Sequence, residues 1–498
     1  MSGRFFKTAK SANFVVACSK FSVLESREAH KGQCYIEKTG LGLLMTKKYI
    51  SHVKSLFALG GPLILGQVAH MSIGITDTVM LGWYSVEALA AGVMGHTLFF
   101  LVFIIGLGFA TAVMPIVASA LAQEDTTQIR RITRMGLWLS IAFSAVMLPV
   151  FWWSEPLLIA IGQSKELSRA TATYVTIVGF AMFPALVLNV IKSYLSAQEL
   201  MAFVLVTTLA GFVINIPLNY VFIFGAFGLP ELGVRGSAIA SLIVQSTMAV
   251  SVCIYAAKKF PEHKLFSRLW KPDPEGLMRL TKMGVPIGIT GLAEAGLFSA
   301  STFMMGWLGT ISVAAHGIAL QITSLTFVIH VGLSSAATIQ AGQAHGAQNF
   351  QKLKRSAQTA LAMSFMIVIL TVALFLSVPR FLVGLFLDYS SGEVEQVVAL
   401  GVVLLAMAAL FSAVDALQVM MLGLLRGVQD TSIPMIMAVI SYWGIGCPAA
   451  YWLAFHLGWE GVGIWAGLSI GLACAAVFFA VRFTWLYKAQ TRSATAAY

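Results

Sequence analysis

Long apolar stretches separated by short polar segments occupy the chain from about residue 57 to residue 486. Each stretch holds about 20 residues or more, the length that an α-helix needs to cross the hydrocarbon core of a bilayer. The pattern predicts twelve membrane-spanning helices, at residues 57–81, 91–121, 133–153, 170–191, 200–225, 236–257, 283–307, 313–344, 357–378, 396–424, 433–455 and 461–486. Two of them, 91–121 and 313–344, are long enough to require a tilt or a kink.

The composition supports this interpretation, because 58% of the residues are hydrophobic and only 11% are charged, whereas soluble domains are about one quarter charged. The sequence therefore predicts an all-α integral membrane protein. The five cysteines show no spacing typical of a metal site or a redox pair, so we expect neither a metal cofactor nor a disulfide framework.

The net charge of +11 is distributed unevenly over the segments between the apolar stretches. If the N-terminus is cytoplasmic, the loops and tail on that side carry eighteen Lys and Arg residues. The opposite side carries four, namely Lys165, Arg169, Arg235 and Arg380. This asymmetry indicates that both termini are cytoplasmic. Because the positive charge is spread over many short loops rather than gathered on one face, a nucleic-acid partner is not expected.

An internal repeat divides the chain into two similar parts. A single constant shift places Pro62 on Pro286 and Gly108 on Gly332 without a gap, and it places Met80-Leu-Gly-Trp83 on Met304-Met-Gly-Trp307. The sequence therefore predicts two pseudo-symmetric six-helix lobes. Since six spans return the chain to its starting side, the lobes have the same orientation and are related by a pseudo-twofold axis along the membrane normal.

The repeat also sets the expected boundaries. We expect an N-terminal lobe at residues 45–257, a basic cytoplasmic linker at 258–282, a C-terminal lobe at 283–488 and a cytoplasmic tail at 489–498. Residues 1–44 are polar and mixed in charge, so we interpret them as a disordered extension or as the product of a start site placed too early.

Three of the 21 acidic residues lie well inside apolar stretches: Asp77, Glu294 and Asp415. A carboxylate at the centre of a membrane helix costs at least ~2.5 kcal/mol, so it needs a cavity, a partner or a proton. One such acid is explained equally well as a protonated group in an interhelical hydrogen bond. Three acids without a Lys or Arg in the same apolar stretches favour sites for a cation.

Two of these acids are expected to share one site. Glu294 follows Lys282 by twelve residues and Asp415 precedes Arg426 by eleven, which places both carboxyl groups near the bilayer midplane. Such a pair is able to take up a proton or to bind Na⁺. Asp77 lies six residues before Trp83, at the expected outer aromatic belt, so we expect it to form a separate site.

Three further polar residues are candidates for these sites. Asn215 and Asn219 are four apart and share one helix face, where either interhelical hydrogen bonding or ion binding explains them. Pro217 between them frees a backbone carbonyl as a further oxygen ligand. His70 falls opposite Glu294 in the repeat, which makes it a candidate relay residue.

These residues resemble the multidrug and toxic compound extrusion (MATE) family, and within it the NorM-like bacterial branch. The motifs that carry the resemblance, over residues 45–488, are Ile75-Thr-Asp-Thr-Val-Met-Leu-Gly82, Asn215-Ile-Pro-Leu-Asn219, Glu294 after Pro286, Val313-Ala-Ala-His316 and Asp415 ahead of Gly423-Leu-Leu-Arg-Gly427. The resemblance implies a transporter of the bacterial inner membrane that exports cationic, often aromatic compounds in exchange for Na⁺ or H⁺.

The resemblance also implies roles for the candidate residues. Glu294 and Asp415 match the acids of the cation site in the C-terminal lobe, and Asp77, Asn215 and Asn219 match the site in the N-terminal lobe. One departure concerns the position four residues before Asp415, where the family pattern has Tyr and this chain has Phe411. The missing hydroxyl removes a ligand that Na⁺ coordination at Asp415 would use.

Other functions explain the pattern less well. An ion channel would require a selectivity-filter motif or pore-lining rings, which are not evident. The chain contains no GxxxxGK[ST] or HExxH motif, and an enzyme is not expected. A flippase of lipid-linked saccharides is expected to line its cavity with Arg or Lys. We expect a monomer whose partners are organic cations and membrane lipids, with no cofactor apart from the coupling ion.

Overall fold

The computed structural model describes residue 56, residues 58–387 and residues 394–496, and these residues are almost entirely helical. The predicted extension at residues 1–44 lies outside this part of the chain. The described residues contain twelve helices long and apolar enough to cross a membrane, which confirms the predicted number.

We label these twelve helices α1 to α12 in chain order. They are Ala58–Tyr84, Val86–Ala122, Thr126–Trp152, Lys165–Ala197, Met201–Phe224, Val234–Lys259, Pro274–Trp307, Thr310–Gly346, Phe350–Ser377, Val394–Gly427, Ser432–His456 and Glu460–Ala496. The two longest predicted spans correspond to α2 and α8, which have 37 residues each.

Several boundaries differ from the predicted ones, because hydropathy does not detect polar helical turns outside the bilayer. The segment predicted as the linker, 258–282, contains the end of α6, which continues to Lys259, and the start of α7, which begins at Pro274. Proline is favourable in the first turn of a helix, where no N–H partner is lost. At the other end of the chain, α12 continues to Ala496, so the helix includes most of the segment predicted as a cytoplasmic tail, 489–498.

Two short helices that the sequence pattern did not predict follow equivalent spans. Ser154–Ala160 comes directly after α3, and Pro379–Gly384 comes directly after α9. The shift that relates the two halves of the sequence places the start of the first helix within one position of the start of the second. The two short helices are therefore equivalent elements of the internal repeat.

Helix packing follows the same scheme in both halves. In the first half, α2 packs against α3 and α4, and α4 packs against α6. In the second half, α8 packs against α9 and α10, and α10 packs against α12. The two halves meet chiefly where α2 contacts α7 and α8. The chain therefore forms two six-helix lobes with equivalent internal packing.

Glycine allows a close approach between the lobes. A Cβ atom on Gly108 of α2 would lie 2.6 Å from the backbone nitrogen of Gly288 on α7, so no side chain fits there. The equivalent Gly332 of α8 packs in the same way on Ile64 of α1, where a Cβ would lie 3.0 Å from the backbone nitrogen. The shift that relates Gly108 to Gly332 also relates Ile64 to Gly288, so the two contacts are related by the pseudo-twofold axis.

Helix α11 contains two π-helical segments, Ile440–Gly446 and Trp452–His456. Pro448 lies between them and has no N–H to donate to the preceding turn, which favours a wider turn before it. Gly446 sits against Gly471 of α12, where a Cβ would lie 2.9 Å from the Gly471 Cα. The widened turn presents Tyr442 and Trp443 toward the rest of the C-terminal lobe.

Candidate cation-binding sites

In the N-terminal lobe, the candidate residues of α1 and α5 are in direct contact. Oδ1 of Asp77 accepts hydrogen bonds from Nδ2 of Asn215 at 3.0 Å and from Nδ2 of Asn219 at 2.6 Å. Nδ2 of Asn219 also donates to Oδ1 of Asn215 at 3.1 Å. The spacing of four residues therefore places both amides on one face, as predicted, and both are fully buried.

A third donor comes from a residue that the sequence analysis missed. Oγ of Ser241 on α6 donates to Oδ2 of Asp77 at 2.7 Å. A single Ser in an apolar helix carries no pattern that distinguishes it from other small residues, so no sequence signal identified it. Asn215, Asn219 and Ser241 all donate to the Asp77 carboxyl group, which is the arrangement that suits an ionised carboxylate.

This network supports the interpretation that the two asparagines form interhelical hydrogen bonds. One acceptor in it, an amide oxygen, has no donor among the described residues. Within the described part of the chain, Oδ1 of Asn219 is buried without a hydrogen-bond partner. An unpaired buried oxygen beside a carboxylate is costly unless a cation or a water molecule contacts it. The site is thus polar, preorganised and able to accept a positive ligand.

His70 lies on the same helix as Asp77 but does not join this network. Its side chain is exposed, and it lies within electrostatic range of Lys192 and His96. Nζ of Lys192 on α4 donates to Oε1 of Gln67 at 2.8 Å. Lys192 comes directly after the predicted span 170–191, but α4 continues to Ala197, so Lys192 lies inside the helix and its side chain reaches α1.

In the C-terminal lobe, Glu294 of α7 and Asp415 of α10 interact electrostatically. Asp415 is 3% exposed, whereas Glu294 is half-buried. Each carboxyl group has one buried oxygen, Oε1 of Glu294 and Oδ1 of Asp415, that forms no hydrogen bond with any described residue. The two acids thus make up one candidate site, and each offers an unpaired oxygen atom to it.

Arg426 corrects one part of the sequence interpretation. It lies in the last turn of α10, yet its guanidinium group is within electrostatic range of Glu294. Arg426 lies just beyond the apolar stretch 396–424, so the absence of Lys and Arg inside the stretches does not keep a basic group away from Glu294. Nε of Arg426 is itself buried without a hydrogen-bond partner among the described residues, so the interaction with Glu294 is not a direct ion pair through this atom.

Tyr442 and Gln418 are the site residues that the sequence analysis missed in this lobe. Both are fully buried, and Nε2 of Gln418 donates to the Tyr442 hydroxyl at 2.5 Å. The phenol lies within electrostatic range of both Glu294 and Asp415. The only available signals were Pro448 and the neighbouring glycines, which indicate an irregular α11 but do not identify which side chain it presents.

Phe411 occupies the position where the family pattern has Tyr, and it packs in an aromatic cluster. Its ring lies 5.9 Å from that of Phe298 and 5.5 Å from that of Trp465, both in edge-to-face geometry. With a hydrophobic ring at this position, the phenol hydroxyl near the two acids comes from Tyr442 on α11 instead.

Trp443 fixes the turn of α7 that carries Glu294. Its Nε1 donates to the backbone carbonyl of Ala293 at 3.1 Å. Its ring covers Gly296, where a Cβ would lie 2.8 Å from Cζ2 of the tryptophan. The residue after Tyr442 therefore positions Glu294, and the π-helical segment supplies both contacts.

The chemistry of this cluster suits a small cation. The described residues contain no group of three or more His, Cys, Asp or Glu that could hold a metal ion. Na⁺ at Glu294 and Asp415 would therefore also need neutral oxygens, such as Oε1 of Gln418, which is buried and unpaired in the described structure, or the Tyr442 hydroxyl. A proton would need only the two carboxyl groups.

These features define a two-lobed, twelve-helix membrane protein with a candidate carboxylate site in each lobe. The sequence profile of the MatE family matches the chain twice, at residues 62–221 and 286–452. The chain belongs to this family and is a NorM-like member of it. The first residues of the two matches are Pro62 and Pro286, the pair that the internal repeat superimposes.

Relatives and solved structures agree with this assignment. A "Probable multidrug resistance protein NorM" from Agrobacterium fabrum is 40% identical over 448 residues, which is 90% of this chain and 96% of that protein. A protein of the same name from Rhizobium meliloti is 39% identical over 87% of this chain and 93% of its own length. The crystal structure of the eukaryotic MATE transporter AtDTX14 shares the fold, with a TM-score of 0.79, 21% identity and coverage of 90% of this chain and 98% of that one.

Proposed function

We propose that the protein is a secondary active multidrug efflux transporter of the bacterial inner membrane, which exports organic cations in exchange for Na⁺ or H⁺. The observation that carries the proposal is the pair Glu294 and Asp415, whose buried carboxyl oxygens lack hydrogen-bond partners in the described structure. The names of the relatives support multidrug export as the biological activity.

The unpaired oxygens give the exchange its physical basis. With both carboxylates charged and no cation bound, the lobe carries a large desolvation penalty. Na⁺, a proton or an organic cation removes this penalty when it binds. Because each of them neutralises the same negative charge, the coupling ion and the exported cation compete, and this competition makes the exchange obligatory.

Export of a cation from an inside-negative cell needs an external source of free energy. Moving one positive charge outward costs ~2.3 kcal/mol per 100 mV of membrane potential. The chain has no nucleotide-binding motif, so an inward flow of the coupling ion is the proposed source. We assign Glu294 and Asp415 to the coupling ion, with Gln418 and Tyr442 as neutral oxygen ligands if the ion is Na⁺.

The N-terminal site is proposed as a second site for a cation or for substrate. The Asp77 carboxylate is held by three donors, which stabilise its charged form and keep it ready for an organic cation. His70, at the equivalent of Glu294 in the repeat, remains a proposed relay. We also propose a monomer with both termini in the cytoplasm.

The flippase alternative needs a separate test, because Lys192 and Arg426 extend from membrane helices toward the interior of the lobes. Neither residue belongs to a pair of basic groups that would grip a pyrophosphate, since Lys192 is bonded to Gln67 and Arg426 interacts with Glu294. A flippase would translocate a lipid-linked sugar without an ion gradient. The proposed antiporter would not translocate such a lipid.

Transport by purified protein in liposomes tests the proposal. The liposomes are loaded with a fluorescent organic cation such as ethidium, and a Na⁺ gradient or a pH gradient is imposed. We expect movement of the dye only when one of these gradients is present, and the effective gradient identifies the coupling ion. Equal movement without any gradient, or unitary conductance in planar bilayers, would contradict the antiport mechanism.

A further inference from the structure

A cavity of about 570 Å³ lies where the start of α3 meets the linker between the two lobes. Six basic residues line it: Arg130, Arg131, Arg134, Lys264, Arg268 and Lys271. Asp273 is the one acidic residue in the lining. The cavity lies outside both carboxylate sites, and neither of the proposed transport steps uses it.

Arg131 is hydrogen-bonded to both acidic residues near the cavity, Asp273 and Glu275. Nε and Nη2 of Arg131 donate to Asp273 at 2.6 and 2.9 Å, and Nη2 also donates to Glu275 at 2.7 Å. These bonds from Arg131 hold the pKa of Asp273 below its usual range. The other five basic side chains of the lining have no ion-pair partner in the described part of the chain.

Because Arg134 is buried and held in place, the cavity is a preformed site rather than a group of surface charges. Arg134 is 7% exposed, and its Nη1 is held by the backbone carbonyls of Ser267 at 3.2 Å and Arg268 at 3.0 Å. Its Nε is buried without a hydrogen-bond partner in the described structure. The guanidinium group is therefore fixed in place, while its charge is not paired with any carboxylate of the described residues.

The linker backbone is strained at two of the basic positions. Lys264 has φ 43° and Arg268 has φ 54°, values that favour glycine or asparagine. Each such residue costs roughly 1 kcal/mol in an ordinary chain. Strain of this kind is retained where the conformation serves a function, and here it directs two positive side chains to the lining of one cavity.

Aromatic residues place the cavity at the depth of the lipid headgroups. Trp138 follows Arg134 by one helical turn, is 41% exposed and donates from Nε1 to the carbonyl of Leu269 at 2.6 Å. Trp270, in the linker, is 77% exposed. Tryptophan is enriched at the membrane–water interface, where its ring lies among the headgroups.

We propose that this cavity binds the phosphate headgroup of an anionic phospholipid, with the acyl chains lying along α3 beside Trp138. Basic pockets between membrane helices on the cytoplasmic side are suited to such headgroups, and the linker face is the one predicted to be cytoplasmic. A lipid fits better than a soluble phosphate, because the exposed tryptophans supply an apolar border. The inference does not depend on the proposed transport activity.

The C-terminal lobe provides a matched control. Lys354 and Arg355 of α9 correspond in the repeat to Arg130 and Arg131. The position that corresponds to the buried Arg134 is Gln358, so this helix end lacks the fixed guanidinium group. Removal of the charges of Lys354 and Arg355 therefore changes the net charge of the same face without touching the cavity.

Native mass spectrometry of the full-length protein in detergent, titrated with phosphatidylglycerol, phosphatidylcholine or inorganic phosphate, tests the proposal. The variant Arg130→Gln/Lys271→Gln removes two lining charges whose side chains form no ion pair in the described structure, and Lys354→Gln/Arg355→Gln is the control. Each charge near the surface is worth about a fivefold change in binding, so we expect phosphatidylglycerol to bind the first variant, which lacks two charges, roughly 25-fold more weakly.

Wild type and control are expected to retain phosphatidylglycerol in preference to phosphatidylcholine. Equal weakening in both variants would overturn the proposal, because the effect would then reflect net charge alone. Inorganic phosphate that displaces phosphatidylglycerol at comparable concentration would also overturn it, since the site would then recognise a soluble anion. Unchanged thermal unfolding of both variants establishes that the comparison is made on folded protein.

Discussion

Gln418 donates a 2.5 Å hydrogen bond to the hydroxyl of Tyr442, and this bond joins α10 to α11 beside the two acids of the C-terminal lobe. The hydroxyl is thereby oriented by a fixed donor, which leaves a lone pair and its own proton available on the side of the carboxyl groups. Tyr442 thus supplies, beside the two acids, the hydroxyl group that Phe411 lacks.

Tyr442→Phe is expected to weaken coupling-ion binding while leaving the fold intact. The substitution removes one oxygen from the site and leaves the amide of Gln418 unpaired, at a cost of about 1–3 kcal/mol. We predict a five- to hundredfold higher Na⁺ or H⁺ concentration for half-maximal dye export, measured in liposomes. Phe411→Tyr in the Tyr442→Phe background tests whether a hydroxyl from α10 restores the affinity.

The contact between Gly108 and Gly288 predicts that no side chain larger than that of glycine fits at position 108 between the lobes. Gly108→Ala places a methyl group 2.6 Å from the Gly288 nitrogen, so backbones must separate, which typically costs about 1–3 kcal/mol. We expect a lower unfolding temperature in detergent and weaker export. Gly317→Ala on α8 is the control, because no atom lies within 4 Å of the added Cβ; an equal loss in both variants would contradict the packing explanation.

The ion pair between Arg131 and Asp273 predicts a pH-dependent stability. Because the folded state lowers the pKa of Asp273, the pair stabilises the protein above the ordinary Asp pKa of about 3.9, and the contribution is lost as pH falls through the lowered pKa. We expect Asp273→Asn to reduce the free energy of unfolding by about 1 kcal/mol at pH 7. The difference from wild type should shrink as the pH falls below the ordinary Asp pKa and through the lowered pKa of Asp273.

Glu275→Gln serves as the comparison for this pair. Glu275 also contacts Arg131, but its side chain is 83% exposed, so water screens the interaction. We expect a smaller change at every pH, measured by thermal unfolding in detergent. A larger effect for Glu275→Gln than for Asp273→Asn would show that burial does not decide the strength of this pair.

The number of helices and the repeat were predictable because bilayer thickness fixes the length of apolar stretches and duplication preserves spacing. Pro62 and Pro286 therefore identified the two halves without any structure. The ends of α7 and α12 were not predictable from hydropathy, since polar turns outside the bilayer carry no apolar signal. The twofold relation between the contacts of Gly108 and Gly332 likewise required coordinates.

The candidate sites were predictable only in part. Asp77, Glu294 and Asp415 stand out because charge inside an apolar helix is rare, and the spacing of Asn215 and Asn219 gives them a common face. Ser241 and Tyr442 carry no such contrast with their surroundings. The approach of Arg426 to Glu294 was not predictable from the position of Arg426 beyond the apolar stretch, because a long side chain can extend along the helix in either direction.

Drug efflux from energised cells that express Glu294→Gln or Asp415→Asn tests the central claim most directly. Each substitution removes one of the two charges that the exported cation and the coupling ion share. Glu166→Gln, an exposed position at the start of α4, is the matched control. We predict that both site variants lose export while their abundance in the membrane equals that of wild type and of the control. Full efflux in both site variants would contradict the proposed cation site.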